Sequence, residues 1–296
     1  MSEGPLCGVL NVNKPRGLTS RAVVNRIARP LGKGVKVGHA GTLDPLASGV
    51  LVLCIGAATR LIEYVQAQSK TYRTVVLLGA RSDTHDVDGE VSAVEEAVDP
   101  GIVAVRLAVA EQVGEILQKP PEYSALKVHG RRAYDLARAG QAVDLPPRPV
   151  TIHRIDILAY DWPRLELEVE CEGGTYIRSI ARDIGEALGC GGLVEVLART
   201  RIGTFTRESA VDPDALSAEM IVDLILPARA AVAHLPGVEL SAEQVSDVAL
   251  GRSVAVGGAP GGEVALLGPN GALVAIGASD PSSGRIAPRR VLVKGG

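Results

Sequence analysis

The chain has 296 residues, 46% hydrophobic and 22% charged, which is enough for one large core or a core with a small appended module. The uncharged run at residues 45–59 is broken by Ser48, Gly49 and Gly56 and is too short to span a bilayer, and MSEGPLCG at the start has no basic region followed by an apolar one. A cytoplasmic protein without a membrane anchor is therefore expected, and a net charge of -3 argues against a simple nucleic-acid coat.

The average hides a segregation of charge. Residues 1–60 hold eight Lys/Arg against two acids and residues 119–154 hold seven against three, whereas residues 81–115 hold nine acids against two bases and residues 208–250 eight against one. A basic face opposite an acidic one is how such a chain could still bind phosphates. The four cysteines, Cys7, Cys54, Cys171 and Cys190, show no CxxC spacing and read as reduced, packed thiols, with no metal site expected.

In chain order the pattern gives a mixed α/β plan without internal repeats. A strand is expected at residues 6–12, then a turn at Lys14-Pro15-Arg16-Gly17, then a helix capped by Ser20 and running to Arg29 with Pro30 as its stop. Arg21, Asn25 and Arg29 form one exposed stripe on that helix. Residues 50–55 read as a buried strand and residues 72–78 as another. THDVDGEVSAVE (84–95) resembles a calcium loop at Asp86, Asp88, Gly89 and Glu95, but Thr84 stands at its first ligand position, so a hairpin turn is the better reading. Leu165, Leu167, Val169 and Cys171 alternate with Glu166, Glu168, Glu170 and Glu172, the pattern of a half-buried strand. Gly173-Gly174 then turns, Thr175 is placed to cap, and Ile177, Ile180, Ala181, Ile184 and Leu188 mark a helix face that ends at Gly189. From about residue 235, short strands at 263–267, 272–276 and 289–293 suggest a separate β module. Neither GxGxxG nor GxxxxGK[ST] is present, so no nucleotide cofactor is indicated.

Asp44 before Pro45 reads by itself as a turn or helix start. Its surroundings carry more. GHAGTLDPLASGVLVLCIG (38–56), together with Lys70-Thr71-Tyr72, CEGGTYIRSIARDIG (171–185) and LARTRIGTF (197–205), resembles the TruB family of tRNA pseudouridine synthases. LNVNKPRGLTS, LGARSDTHDVDGEV and PPEYSALKVHGRRAYDLAR extend the resemblance over about residues 6–207 in family order and spacing. A minor departure is Ser48, where the family often has threonine.

The resemblance implies an α+β fold: a mixed, largely antiparallel sheet with flanking helices as the catalytic domain (1–232), followed by a small β-rich PUA-like module (233–296). It implies isomerisation of uridine 55 in the tRNA T-loop to pseudouridine, with Asp44 as the essential carboxylate and no cofactor or metal. By the same resemblance Arg178 pairs with that carboxylate and Tyr72 stacks on the extruded uracil. Tyr176 and Leu197 line the uracil pocket, and His39 fills the space of the flipped base. Lys14, Arg16 and Lys70 are candidates for phosphate contact. So are Lys127, Arg131, Arg132 and Arg138 of residues 119–154, a segment that resembles an insertion closing over the RNA. Arg285, Arg289 and Arg290 are candidate acceptor-stem contacts. The partner implied is tRNA, bound by a monomer without an obligate protein partner. Two alternatives stand beside this reading. An RNA-guided rRNA modifier of the dyskerin branch is disfavoured by the RNA-closing insertion, and a non-catalytic tRNA-folding factor by the presence of Asp44, Tyr72 and Arg178 together.

Overall fold

The chain begins with β1 (Gly8–Lys14), α1 (Ser20–Leu31), β2 (Val37–His39) and β3 (Ser48–Ile55). The computed structural model describes residues 6–124, 126–128, 131–132, 145–214 and 216–293. Along β3 every side chain after Gly49 is apolar and buried, because both faces of the strand are covered. Leu51, Leu53 and Ile55 pack with Val23, Val24 and Ile27 of α1, while Val50, Val52 and Cys54 face a second core. The cap of α1 is Thr19, whose Oγ1 accepts the Ala22 N–H at 3.1 Å, and the helix runs one residue past Pro30. Ser20, the expected cap, turns inward instead: its hydroxyl accepts from the Leu43 N–H at 2.8 Å and donates to the Leu43 carbonyl at 3.1 Å. The serine thus ties α1 to the segment that carries Asp44.

Next come α2 (Ile62–Ala67), β4 (Lys70–Leu78), the hairpin of β5 (Ala80–Ser82) with β6 (Val91–Ala93), α3 (Gly101–Ala110) and β7 (Gly114–Gln118). The first part of the segment resembling a calcium loop, residues 84–90, therefore lies in the connection of a hairpin, as expected, and the rest includes its second strand. A short pair, β8 (Lys127–Val128) with β9 (Arg131–Arg132), precedes the long hairpin of β10 (Arg148–Asp161) and β11 (Arg164–Cys171). Then follow α4 (Ile177–Ala187), β12 (Gly192–Ile202), β13 (Phe205–Thr206), α5 (Ala218–Leu224) and β14 (Leu226–Pro227). Thr175 does not cap α4; its hydroxyl donates to the Glu172 carbonyl at 3.1 Å, and Tyr176 occupies the cap position without a side-chain bond. The C-terminus of α4 follows expectation, since Gly189 adopts φ +72° just past Leu188.

Ten strands form one sheet in the order β14-β1-β3-β12-β4-β11-β10-β7, with β2 added on β3 and β13 on β12. Every pairing is antiparallel except β3 with β12, which meet in parallel at Ala198 opposite Ser48 and Arg199 opposite Gly49. The two halves of the sheet are joined at that seam. Gly49 has φ +103°, and a β carbon there would lie 2.1 Å from the Arg199 carbonyl oxygen, so only glycine closes it. On the β4–β11 half, Ile177, Ile180, Ala181 and Ile184 of α4 bury against Val76, Leu165, Leu167 and Val169. Gly185 lets that helix lie directly on the strand, since a β carbon would sit 2.2 Å from the Gly191 carbonyl carbon. Gly185→Ala should push α4 away and destabilise the fold by about 1–3 kcal/mol, read as a lower Tm in thermal denaturation. An unchanged Tm would mean that the contact relaxes freely.

The tail builds a second, five-stranded sheet from β15 (Gly237–Glu239), α6 (Ala242–Ala249), β16 (Val254–Ala255), β17 (Gly262–Leu267), β18 (Leu273–Asp280) and β19 (Arg285–Val291), with strand order β15-β17-β18-β19-β16. It has its own core of Val238, Val248, Val264, Leu266 and Ile286. Ala265, Leu273, Ile276 and Leu292 point the other way and pack with Val9 and Val52 of the larger sheet and with Leu61 just before α2, so the tail is a separate sheet sharing a core with the body. Among the described residues no helix is long and apolar enough to cross a membrane.

Candidate active site

Asp44 lies in the connection between β2 and β3, immediately before the seam. That connection is held from several sides. Besides the Ser20 bridge to Leu43, the Gly17 N–H donates to the Pro45 carbonyl at 2.7 Å and the Ala47 N–H to the Asp44 carbonyl at 3.1 Å. Arg199, 2% exposed, donates through Nε to the Val50 carbonyl at 2.8 Å and through Nη2 to the Gly41 carbonyl at 3.1 Å. Lys14 sends its ammonium to the carbonyls of Leu18 at 2.6 Å, Pro15 at 3.0 Å and Pro45 at 3.4 Å.

Arg178, in the first turn of α4, meets the Asp44 carboxylate at 2.9 Å between Nη2 and Oδ2. Its side chain is 4% exposed against 36% for Asp44, so the arginine lies behind the carboxylate and the carboxylate faces the opening. Three other groups fix the guanidinium. The Thr84 carbonyl accepts from Nη1 at 2.7 Å, the Tyr123 carbonyl accepts from Nη2 at 2.9 Å, and Asp86 Oδ2 lies 3.6 Å from Nε. Asp86 in turn accepts at Oδ1 from the Thr84 hydroxyl at 2.6 Å and the Asp88 N–H at 3.1 Å. Burial pushes the Asp86 carboxyl above its usual range, opposed by the Thr84 hydrogen bond and the Arg178 charge. One acid of the hairpin, Asp86, thus braces an arginine.

Asp44 and Arg178 open into a cavity of about 800 Å³ whose wall also includes Tyr72, Tyr176, Leu197 and Arg199. Tyr72 on β4 and Arg199 on β12 are cross-strand partners, and Leu197 is two residues earlier on the same strand. Burial pushes the Tyr72 hydroxyl up, with the neighbouring Arg199 charge opposing. Gln118, at the end of β7, holds Tyr176 by both backbone groups, accepting its N–H at 2.8 Å and donating to its carbonyl at 3.2 Å. The result is a half-buried carboxylate backed by a buried cation, beside apolar and aromatic walls that can hold a planar base.

Five of the residues singled out by sequence, Asp44, Tyr72, Tyr176, Arg178 and Leu197, come together here. His39 does not line this cavity; it sits on β2 opposite Leu53. Arg16 is exposed, 3.9 Å from Asp88. Lys14 and Lys70 are not surface phosphate ligands, which corrects the expectation for both. Lys14 is fully buried and its ammonium is used on carbonyls. Lys70 is 5% exposed, reaches the cavity wall, and donates to the carbonyls of Gln66 and Gln68 at the end of α2, where a helix dipole favours a cation. The side chains of Lys127, Arg131 and Arg132, and all of Arg138, lie outside the described residues. Arg199, Asp86 and Gln118 were missed. Arg199 and Asp86 stand inside quoted motifs, but nothing in a linear pattern says which partner a buried charge will meet.

Burial also lowers Lys14 and Lys70 from 10.5 to about 8 each. Between pH 8 and 10.5 the unfolded chain then binds more protons at these two sites than the folded one, so their contribution to stability rises with pH across that window. In urea unfolding, wild type should gain on a Lys14→Met/Lys70→Met variant between pH 8 and 10. A constant gap would show that the two ammonium groups titrate normally.

The N-terminal domain of the TruB family pseudouridylate synthases matches residues 29–177, and the tRNA pseudouridylate synthase B C-terminal domain matches residues 178–233. The chain is 46% identical over 241 residues to a tRNA pseudouridine synthase B from Arthrobacter sp. (strain FB24), covering 79% of this chain and 78% of the relative. It is 42% identical to the protein of that name from Aromatoleum aromaticum, covering 96% and 92%. Among solved structures, a chain of a Cbf5-Nop10-Gar1 complex superposes with a TM-score of 0.74 at 27% identity over 97% of this chain and 85% of that one. An archaeal box H/ACA sRNP Nop10-Cbf5 complex gives 0.72 at 28% identity, over 97% and 86%. Adjoining matches to two domains of one family, relatives above 40% identity over most of both chains, and the pseudouridine synthase fold itself lead to one conclusion: this chain belongs to the TruB family of pseudouridylate synthases.

Proposed function

We propose that this enzyme converts uridine 55 in the T-loop of tRNA to pseudouridine, with the base flipped out of the loop into the Asp44 cavity. The observation that carries the reading is the Asp44–Arg178 pair at the wall of a cavity shared with Tyr72, Tyr176 and Leu197. Relatives named tRNA pseudouridine synthase B support tRNA as the substrate.

The reaction breaks the N1–C1′ glycosidic bond, turns the detached uracil and joins C5 to C1′, with the C5 proton lost and a proton gained at N1 so that the product is an isomer of the substrate. Asp44 serves as the carboxylate that attacks C1′ or removes a sugar proton, and either step needs an ionised oxygen at the reacting centre. Arg178 holds that carboxylate from behind. The Tyr72 ring and Leu197 enclose the uracil while it is detached, so that it turns without escaping, and Tyr176 closes the same wall. Extrusion of the base costs a few kcal/mol, which stacking on an aromatic ring, about 1–3 kcal/mol per base, offsets together with phosphate contacts.

On this reading the protein acts as a monomer in the cytoplasm, the tail contributes a PUA-like contact to the acceptor stem, and tRNA folding is a second role. The structural neighbours are complexes of Cbf5 with Nop10 and, in one case, Gar1, and an RNA-guided enzyme is the alternative reading. One experiment separates the readings. Purified protein alone is incubated with an unmodified T-arm transcript, and pseudouridine is mapped by position. Product at position 55 without guide or partner supports the proposal; no product from any tRNA sinks it.

A further inference from the structure

Among the described residues, the cavity wall carries three carboxylates, Asp44, Glu63 and Glu172, and four cations, Lys70, Arg148, Arg178 and Arg199. Six of these already have charged or polar partners. Asp44 pairs with Arg178 at 2.9 Å, Glu63 with Arg290 at 2.8 Å, and Glu172 with His153 at 2.7 Å. Arg199 and Lys70 are held on backbone carbonyls, as described above.

Arg148 is different. It sits at the start of β10, facing the cavity, with its guanidinium 5.1 Å from the centroid of the Tyr176 ring. Nη2 donates to the carbonyl of Gly174, which turns there at φ +93°, a conformation that favours glycine. Among the described residues no carboxylate lies within ion-pairing distance of Arg148, its Nε is buried without a hydrogen-bond partner, and Nη1 makes no hydrogen bond. Stacking on Tyr176 restrains the guanidinium and the Gly174 bond fixes one nitrogen, so the remaining N–H groups are ordered before a ligand arrives. A planar, charged fork of this kind suits the two oxygens of a phosphodiester. The neutral uracil offers no charge to balance it.

We propose that Arg148 seats a phosphodiester flanking the target uridine and thereby positions the flipped nucleotide with its C1′ against Asp44. The proposal rests on the RNA-modifying reading above and adds a named phosphate ligand to it. Tyr176 then has two tasks, one edge lining the base cavity and one face carrying the cation.

The test is a cycle between protein and RNA. Full-length wild type and Arg148→Gln are compared on a T-arm stem-loop with ordinary phosphates and on two versions carrying a neutral methylphosphonate immediately 5′ or 3′ of the target uridine. Both the Kd and the single-turnover rate are measured. With ordinary RNA, Arg148→Gln should bind about tenfold more weakly, and the slope of log Kd against log salt should flatten by about 1. At one of the two positions the methylphosphonate should weaken wild type while leaving Arg148→Gln almost unaffected, the signature of a shared contact. Arg148→Lys, which keeps the charge but not the fork, should fall between the two and serves if the glutamine variant misfolds. Additive losses at both positions, or an unchanged salt slope, would overturn the assignment. Because binding is read apart from turnover, a wild type that binds but makes no product counts against the proposed function, while the cycle still decides the role of Arg148.

Discussion

Asp44→Asn should abolish turnover, lowering the single-turnover rate by at least about a thousandfold, while tRNA still binds within a few-fold of wild type. Asparagine has nearly the same shape and keeps an oxygen that can accept from Arg178 Nη2, so the connection between β2 and β3 and the seam behind it lose little. What disappears is the charge. A neutral amide is a poor nucleophile towards C1′ and a poor base towards a sugar proton, so either chemical route stops at its first step. Binding is spared because most of the RNA affinity comes from phosphate and stacking contacts that do not involve the carboxylate. Mapping pseudouridine after stoichiometric incubation, with filter binding on the same preparation, checks both halves. Turnover within tenfold of wild type would remove Asp44 from the chemistry, and a folding factor without catalysis would show the same activity, none, for both proteins.

The second large effect is expected at Arg178, and it extends to the fold. Arg178→Ala leaves Asp86, whose side chain is 7% exposed, beside a cavity with no counter-charge. It also frees the Thr84 and Tyr123 carbonyls that the guanidinium had engaged. Removing one partner of a buried charge pair costs about 3–5 kcal/mol, so the urea midpoint should fall well below wild type. Activity should fall with it, since Asp44 loses the group that fixes one of its oxygens. Arg178→Lys retains a charge but not the geometry, because a single ammonium cannot reach Thr84, Tyr123, Asp44 and Asp86 together. It should recover part of the stability and little of the rate. A stability loss under 1 kcal/mol for the alanine variant would mean that Asp86 is readily solvated and that the bracing role is wrong.

Where sequence reading went astray, the cause was long-range. Ser20 has the sequence position of a helix cap, but a backbone segment 23 residues later offers its hydroxyl two hydrogen bonds, and Thr19 takes the cap. Lys14 stands in a basic stretch and looked solvent-facing; the carbonyls of Leu18 and Pro45 draw it fully inside. Asp86 read as one acid of a hairpin turn, and its partner Arg178 lies 92 residues on in the chain and 3.6 Å away in space.

What the sequence determined by itself is whatever depends on near neighbours. Alternation over residues 165–171 placed β11, the 3.6-residue period placed α4, glycines marked their ends, and the ordered motifs carried the family and Asp44 with it. What only the tertiary structure decided is which charges meet. The parallel seam of β3 with β12 brings Arg199 under the Asp44 connection, and α4 packed on the second half of the sheet delivers Arg178 to the carboxylate at 2.9 Å. The physical reason is that a buried charge is stable only with a partner, and that partner is selected by distance in space, which strand order and helix packing set and local pattern does not.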